Sequence, residues 1–119
     1  MFENGLSVSM QLGAIFQAFP DLLFDLDGEG RILDYKTGDP TLLQPFPDGL
    51  LNRYIRDVLP AEIGEKFQNA VEQASRDQKT VSLDYSLNFA NSIRWFEAQL
   101  VPSSQSRVVA IVRLSLIHI

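Results

Sequence analysis

The sequence predicts an α+β domain: a single antiparallel sheet of about five strands, with helices on one face and an N-terminal amphipathic helix on the other. Three observations lead to this prediction. Several segments, some before and some after Pro60, alternate apolar and polar residues with the period of a β-strand. Three other stretches have helical spacing, and the connections between the last strands are too short for crossover helices. A chain of 119 residues has the size of one domain.

Composition and charge exclude several classes of protein. The formal net charge is −5, the pI is near 4.7, and the arginines are scattered, which argues against a nucleic-acid-binding module. No apolar run has the length of a membrane span and no signal-peptide pattern opens the sequence, so we expect a cytoplasmic protein. The absence of cysteine fits a reducing compartment and excludes disulfides and thiolate metal sites.

The first predicted element is an amphipathic helix that ends before Pro20. Its apolar stripe has the spacing i, i+3, i+4 and i+7 and consists of Leu12, Ile15, Phe16 and Phe19. The residue before a proline is disfavoured in the α region, so the helix cannot continue past this point.

A β-hairpin is predicted next. Leu22, Phe24 and Leu26 alternate with Leu23 and Asp25, as in a half-buried strand. The sequence DGEG at 27–30 carries the Asp-Gly signal of a tight hairpin turn, and RILDYK at 31–36 forms the returning strand.

The middle of the chain is predicted to be turns followed by helices. The stretch TGDPTLLQPFPDG at 37–49 is too rich in proline and glycine for one long element, and predicts turns with one helical turn. LLNRYIRDVLP at 50–60 has helical spacing through Leu51, Tyr54, Ile55 and Val58. A long helix follows Pro60, with one apolar side formed by Ile63, Phe67, Ala70, Val71 and Ala74.

Three strands complete the domain. TVSLDYSLNF at 80–89 alternates with a period close to two, whereas SIRWFEAQLVP at 92–102 and SRVVAIVRL at 106–114 carry apolar residues on both faces. Strands of the latter kind need cover on both sides of the sheet. The short connections between the three strands predict antiparallel pairing.

This order of elements, together with three motifs, resembles the PAS family. FPDLLFDLDGEGRILDY is similar to the first hairpin of that family, IRDVLP to the segment before its long helix, and RWFEAQLVP to its penultimate strand. The resemblance covers Phe19 to Arg113. It implies a cap helix at 1–19, a PAS core at 20–113, and an exit segment or foreign tail at 114–119. The chain departs from the family at Lys36, where members often have Asn, and after Arg113, where members often have Asp-Ile-Thr.

The resemblance implies a sensory or regulatory domain of a bacterial signalling protein, with no catalysis of its own. Such a domain would bind a small ligand, form a homodimer, or both, and would control an attached output domain, a diguanylate cyclase or a histidine kinase. A ligand-free dimerisation module is the alternative. A small curved-sheet enzyme is a third possibility, but its candidate acids Asp25, Asp84 and Glu97 fall on faces opposite the apolar ones, with no histidine beside them.

By resemblance to the family, one face of the sheet and the long helix enclose a pocket for a small apolar or weakly polar ligand, unless the same residues simply fill a core. Its predicted wall consists of Phe24, Leu26, Tyr54, Ile55, Phe67, Val71, Leu83, Tyr85, Phe96, Ala98, Val108, Ala110 and Val112. Alternation places Trp95 on the opposite face, under the N-terminal helix. The predicted cap and dimer interface consists of Leu12, Ile15, Phe16, Phe19, Trp95 and Ile111.

The residues of the chain restrict which cofactors it could bind. Adduct-forming flavin and coumaroyl chromophores need a cysteine, which the chain lacks. Haem held by histidine needs a ligand in the helical region, yet the only histidine is His118 near the end of the sequence. Non-covalent flavin stays open, although packing is the preferred role of Trp95. DLDGEG at 25–30 lacks most of a calcium-loop motif and is interpreted as a hairpin turn, so we expect no metal site.

Overall fold

The computed structural model describes residues 21–89, 92–104 and 106–115. The predicted N-terminal helix, with Leu12, Ile15, Phe16 and Phe19, lies outside these ranges, as does His118. The elements in chain order are β1 (Leu22–Asp27), β2 (Ile32–Thr37), a 3-10 turn (Pro40–Leu43), α1 (Ile55–Val58), α2 (Ala61–Asp77), β3 (Val81–Phe89), β4 (Ser92–Pro102) and β5 (Arg107–Leu114). No helix within the described ranges has both the length and the hydropathy needed to cross a bilayer.

The five strands form one antiparallel sheet in the order β2-β1-β5-β4-β3. β5 is central and pairs with β1, where Leu22 lies opposite Val112, and with β4, where Leu100 lies opposite Ala110. The first hairpin and the last strand of the chain therefore meet in the middle of the sheet. This architecture confirms the predicted α+β fold with a single sheet.

The two faces of the sheet differ in burial. On the inner face, against α2, strands β1, β4 and β5 bury every second residue, in the patterns that the sequence alternation predicts. Phe67, Val71 and Ala74 of α2 are buried and face the same core. Burial of these apolar side chains is the main stabilising contribution to the fold.

α2 begins directly after Pro60 and ends where Gln78 adopts a left-handed conformation with φ of 54°. Near its start, Gly64 lies against the backbone of α1. A Cβ built on Gly64 would collide with the carbonyl oxygen of Arg56. Only a residue without a side chain allows the two helices to approach this closely.

The segment before α2 differs from the predicted helix. The helix covers only Ile55–Val58, and Leu51 lies in a turn with 50% of its surface exposed. The backbone N–H of Asn52 donates to the carbonyl of Ile32 at 2.7 Å, and the N–H of Ile32 donates to the carbonyl of Arg53 at 2.8 Å. These bonds occupy the N–H of Asn52 and the carbonyl of Arg53 and tie the segment to the start of β2, so it does not continue the helix.

Candidate functional site

The inner face of the sheet brings together most of the predicted pocket wall. Eleven of these residues are buried: Phe24, Leu26, Ile55, Phe67, Val71, Tyr85, Phe96, Ala98, Val108, Ala110 and Val112. They belong to one continuous hydrophobic cluster, which Leu42, Leu50 and Leu87 extend.

Aromatic rings form the centre of this cluster. The ring of Tyr85 meets Phe67 edge-on, with centroids 5.2 Å apart, and stacks on Phe96 at 5.5 Å. Phe89 lies 6.0 Å from Phe96. Each such aromatic pair contributes about 0.5–1.5 kcal/mol to stability, in addition to the contribution of the surface area that it buries. The rings are therefore held in a defined arrangement between α2 and the strands β3 and β4.

Tyr85 carries a polar group at this centre. Burial raises the pKa of its hydroxyl well above the ordinary value, because the phenolate would lose its hydration. The hydroxyl therefore stays protonated throughout the physiological range. It can donate a hydrogen bond, but it cannot act as a base near neutral pH.

Gln68 is a buried polar residue that the sequence analysis did not single out. Its Nε2 donates to the carbonyl of Glu29 at 2.8 Å and to the Glu72 carboxylate at 2.9 Å, which ties α2 to the turn of the first hairpin. Its Oε1 is buried and has no partner among the described residues. Gln68 lies three residues before Val71 and four after Gly64, which places it on the buried stripe of the helix. The spacing in the sequence could therefore have identified Gln68 as a buried polar residue.

Tyr54 does not belong to the pocket wall, contrary to the prediction. It is half-buried, and its ring centroid lies 4.6 Å from the guanidinium of Arg56 and 5.6 Å from that of Arg31. The hydrogen bond with Tyr54 is the main cause that raises the pKa of Arg31. The residue points outward because its backbone pairs with Arg31 in an isolated bridge, which leaves Ile55 to face the core.

Leu83 is also only half-buried, because it borders an open groove between α2 and β3. The groove has a volume of about 350 Å³. Its lining residues are Lys66, Asn69, Ala70 and Gln73 of α2 and Val81, Ser82, Leu83 and Asp84 of β3. This α2–β3 groove lies at the edge of the sheet.

The outer face of the sheet carries a second group of apolar residues. Leu23, Val109 and Ile111 are half-buried there, and Leu23 lies directly opposite Ile111. On the neighbouring strand, Trp95 is 36% exposed and Ile93 is 65% exposed. Trp95 thus lies on the face opposite Phe96, where alternation placed it.

The candidate catalytic acids are dispersed over this outer face. The Asp25 carboxylate accepts from the Arg107 guanidinium at 3.0 Å, whereas Asp84 and Glu97 lie opposite each other on β3 and β4. Within the described ranges, no three histidine or acidic side chains are grouped to hold a metal ion. The arrangement offers surface charge and no paired acid and base.

Comparisons with known proteins agree with this architecture. Residues 16–115 match the family model described as PAS fold. A domain of an HTR-like protein from Haloarcula marismortui has 18% identity and a TM-score of 0.64, and covers 80% of this chain and 97% of its own. The photoactive yellow protein domain of the sensor histidine kinase Ppr from Rhodospirillum centenum has 19% identity and a TM-score of 0.65, with coverage of 84% and 90%.

A third similar structure is the PAS domain of the quorum-sensing receptor RpfR from Cronobacter turicensis, with 9% identity, a TM-score of 0.63, and coverage of 80% and 93%. At these identities the likeness shows the fold alone. No match was found among curated proteins. The family match spans most of the sequence, and the strand order and core agree with it; the chain belongs to the PAS family.

Proposed function

We propose that this PAS domain is the regulatory input of a bacterial signalling protein and acts as a homodimer that forms through the outer face of its sheet. The observation that carries the proposal is the apolar group on that face, formed by Leu23, Val109, Ile111 and Trp95. β5 is apolar on both faces, and a strand of this kind requires cover on both sides.

The proposed cover comes from the N-terminal segment and from a second protomer. Leu12, Ile15, Phe16 and Phe19 have the spacing of a helical stripe, and Pro20 immediately precedes the strand β1. An apolar stripe of this kind complements an apolar sheet face. The same stripe and Trp95 would then contribute to the contact between two protomers.

We further propose that a small apolar or weakly polar ligand enters the core between α2 and the inner face. Gln68 and Tyr85 support this, because they are the polar groups that an entering molecule would meet among apolar walls. The similar PAS domain of RpfR was solved in complex with C12:0. Differential affinity for two states of the domain would supply a coupling of about 1–3 kcal/mol.

The output domain that this input controls is proposed to be a diguanylate cyclase or a histidine kinase. The kinase is supported by the names of two similar structures, which belong to the sensor histidine kinase Ppr and the histidine kinase ThkA. A PAS domain without its own catalysis needs such a partner to produce a signal.

Sedimentation velocity on the full chain tests the proposed dimer. We expect a dimer for the wild type and a monomer for Ile111→Ser. The matched control is Gln99→Ser, since Gln99 lies directly opposite Ile111 on the same face but is exposed and polar. Thermal melts would check that both variants fold. A monomeric wild type, or equal dimerisation of both variants, would contradict the proposal.

Native mass spectrometry tests the ligand. An added mass that is lost on denaturation would support a sensed molecule in the core. A bare dimer would favour the alternative, in which the domain is a ligand-free interaction module.

A further inference from the structure

The strand β3 forms an open edge of the sheet. Among the described residues its only strand partner is β4, and the ladder between them is regular from Val81 opposite Leu100 to Phe89 opposite Ser92. Proteins commonly protect edge strands with lysine, proline or a bulge. The sequence VSLDYSLNF has neither residue, and the register shows no shift. Within the described ranges, the open side of β3 thus presents a row of backbone donors and acceptors that another strand could pair with.

The α2–β3 groove runs beside this edge. Val81 and Leu83 are half-buried apolar side chains at the groove, and Ala70 of α2 adds to its apolar lining. A strand that extends the sheet would direct every second side chain toward α2, into this groove. The remaining side chains would point to the outer face. An edge strand beside a helix is the arrangement that binds extended peptides by strand addition.

Charge selects the side chains that such a strand would carry on each face. On the outer face, Asp84 lies directly opposite Glu97, and Glu97 in turn lies opposite Arg113 on β5. Within the described part of the chain, Asp84 forms no ion pair. A cationic side chain on the open side of Asp84 would form a cross-strand pair of opposite charges with it. Asp84 borders the groove at β3, whereas Lys66 lines it on the helix side, where it would repel a cation.

We propose that the open edge of β3 binds an extended polypeptide segment that alternates apolar residues, directed into the α2–β3 groove, with lysine or arginine, directed toward Asp84. Hydrogen bonds from the backbone of the segment would supply affinity. The charges of Asp84 and Lys66 would determine which residues of the segment face the groove and which face outward. One strand, β4, separates the site from Ile111 of β5, so the proposed peptide binding can be tested independently of the proposed dimer.

The test uses the isotope-labelled full chain and a capped synthetic peptide of alternating valine and lysine, about nine residues long to match a strand. NMR titration would locate and quantify the binding. We expect shifts of the backbone amides of β3 and of the groove residues of α2. Asp84→Asn should weaken binding about threefold, as expected for the loss of one cross-strand charge pair. Ile111→Ser should leave the affinity unchanged.

Two control peptides make the test specific. A peptide of alternating valine and glutamate should bind more weakly, and a scrambled valine–lysine peptide should lose binding because it cannot present one apolar face. The proposal is overturned if the peptide does not bind at millimolar concentration, if the shifts lie elsewhere, or if the controls bind equally well. Protection of β3 amides that disappears on dilution without peptide would instead assign the edge to a second copy of this chain.

Discussion

The contact between α1 and α2 predicts that Gly64→Ala destabilises the protein, which is the opposite of what helix propensity predicts. Replacing glycine by alanine inside a helix normally stabilises a protein by up to about 1 kcal/mol. At Gly64 the added Cβ would collide with the carbonyl oxygen of Arg56 and lie 3.1 Å from its carbonyl carbon and Cα. These are backbone atoms, which cannot rotate away as the end of a side chain can.

The backbone around this contact is held on both sides. The N–H of Gly64 donates to the carbonyl of Pro60 at 2.7 Å, and the N–H of Ile55 donates to the carbonyl of Gly30 at 2.8 Å. Relief of the collision would have to displace α1 or the start of α2. Forced displacement of packed groups costs about 1–3 kcal/mol, which exceeds the gain in helix propensity. We expect Gly64→Ala to lower the free energy of unfolding by about 1–2 kcal/mol.

Urea and thermal unfolding, followed by circular dichroism, would measure this change. A loss of this size corresponds to a decrease in Tm of roughly 5–10 °C for a domain of this length. The matched control is Glu65→Ala, at the next position of the same helix, where the side chain is exposed and the change should stay within about 0.5 kcal/mol. Equal or higher stability of Gly64→Ala would refute the assigned close approach.

Three further predictions concern the core and the first hairpin. Wild-type stability should fall as the pH rises above about 10, because Tyr85 ionises in the unfolded chain while the raised pKa keeps it protonated in the fold. In Tyr85→Phe, the free energy of unfolding, measured with urea at several pH values, should fall less as the pH rises. The same dependence on pH as in the wild type would argue against this cause. Phe96→Ala should lower the free energy of unfolding, measured with urea, by about 3–5 kcal/mol, because it removes a buried ring that contacts two others. A loss of less than about 1 kcal/mol, the typical effect of a single substitution, would mean that the neighbouring side chains can fill the vacated space. Gly30→Ala should lower Tm, because Gly30 has φ of +92° and its Cβ would lie 2.6 Å from Gln68 Oε1, and a Tm equal to that of the wild type would contradict the strained geometry.

Strand periodicity was the part of the fold that sequence alone could predict. In β3, Tyr85, Leu87 and Phe89 are buried between exposed or half-buried polar residues, as the alternation indicates. In β5, Val108, Ala110 and Val112 face the core although their neighbours are apolar too. Alternation identifies the two faces, and the short connections identify the pairing. Both signals are local, and the sequence contains them.

Contacts that join distant residues were beyond prediction. The helical spacing of Leu51 and Tyr54 is genuine, but hydrogen bonds with Ile32 hold the segment in another conformation. A spacing pattern within ten residues carries no information about a hydrogen-bond partner that lies twenty residues away in the sequence. The same limit applies to the pocket, because a packed core and a ligand cavity both require apolar residues at Phe67 and Phe96.

The position of β4 suggests how the proposed sensing and the proposed dimerisation would be coupled. Phe96 belongs to the aromatic cluster and the adjacent Trp95 belongs to the outer face, so one stretch of backbone carries both. A ligand that displaces the Phe96 ring must rotate or shift this backbone, since packed interiors have little free space. The movement would reach Trp95 without any intermediate element. A ligand with equal affinity for the two states of the domain would leave the dimer equilibrium unchanged, whichever residues it contacts.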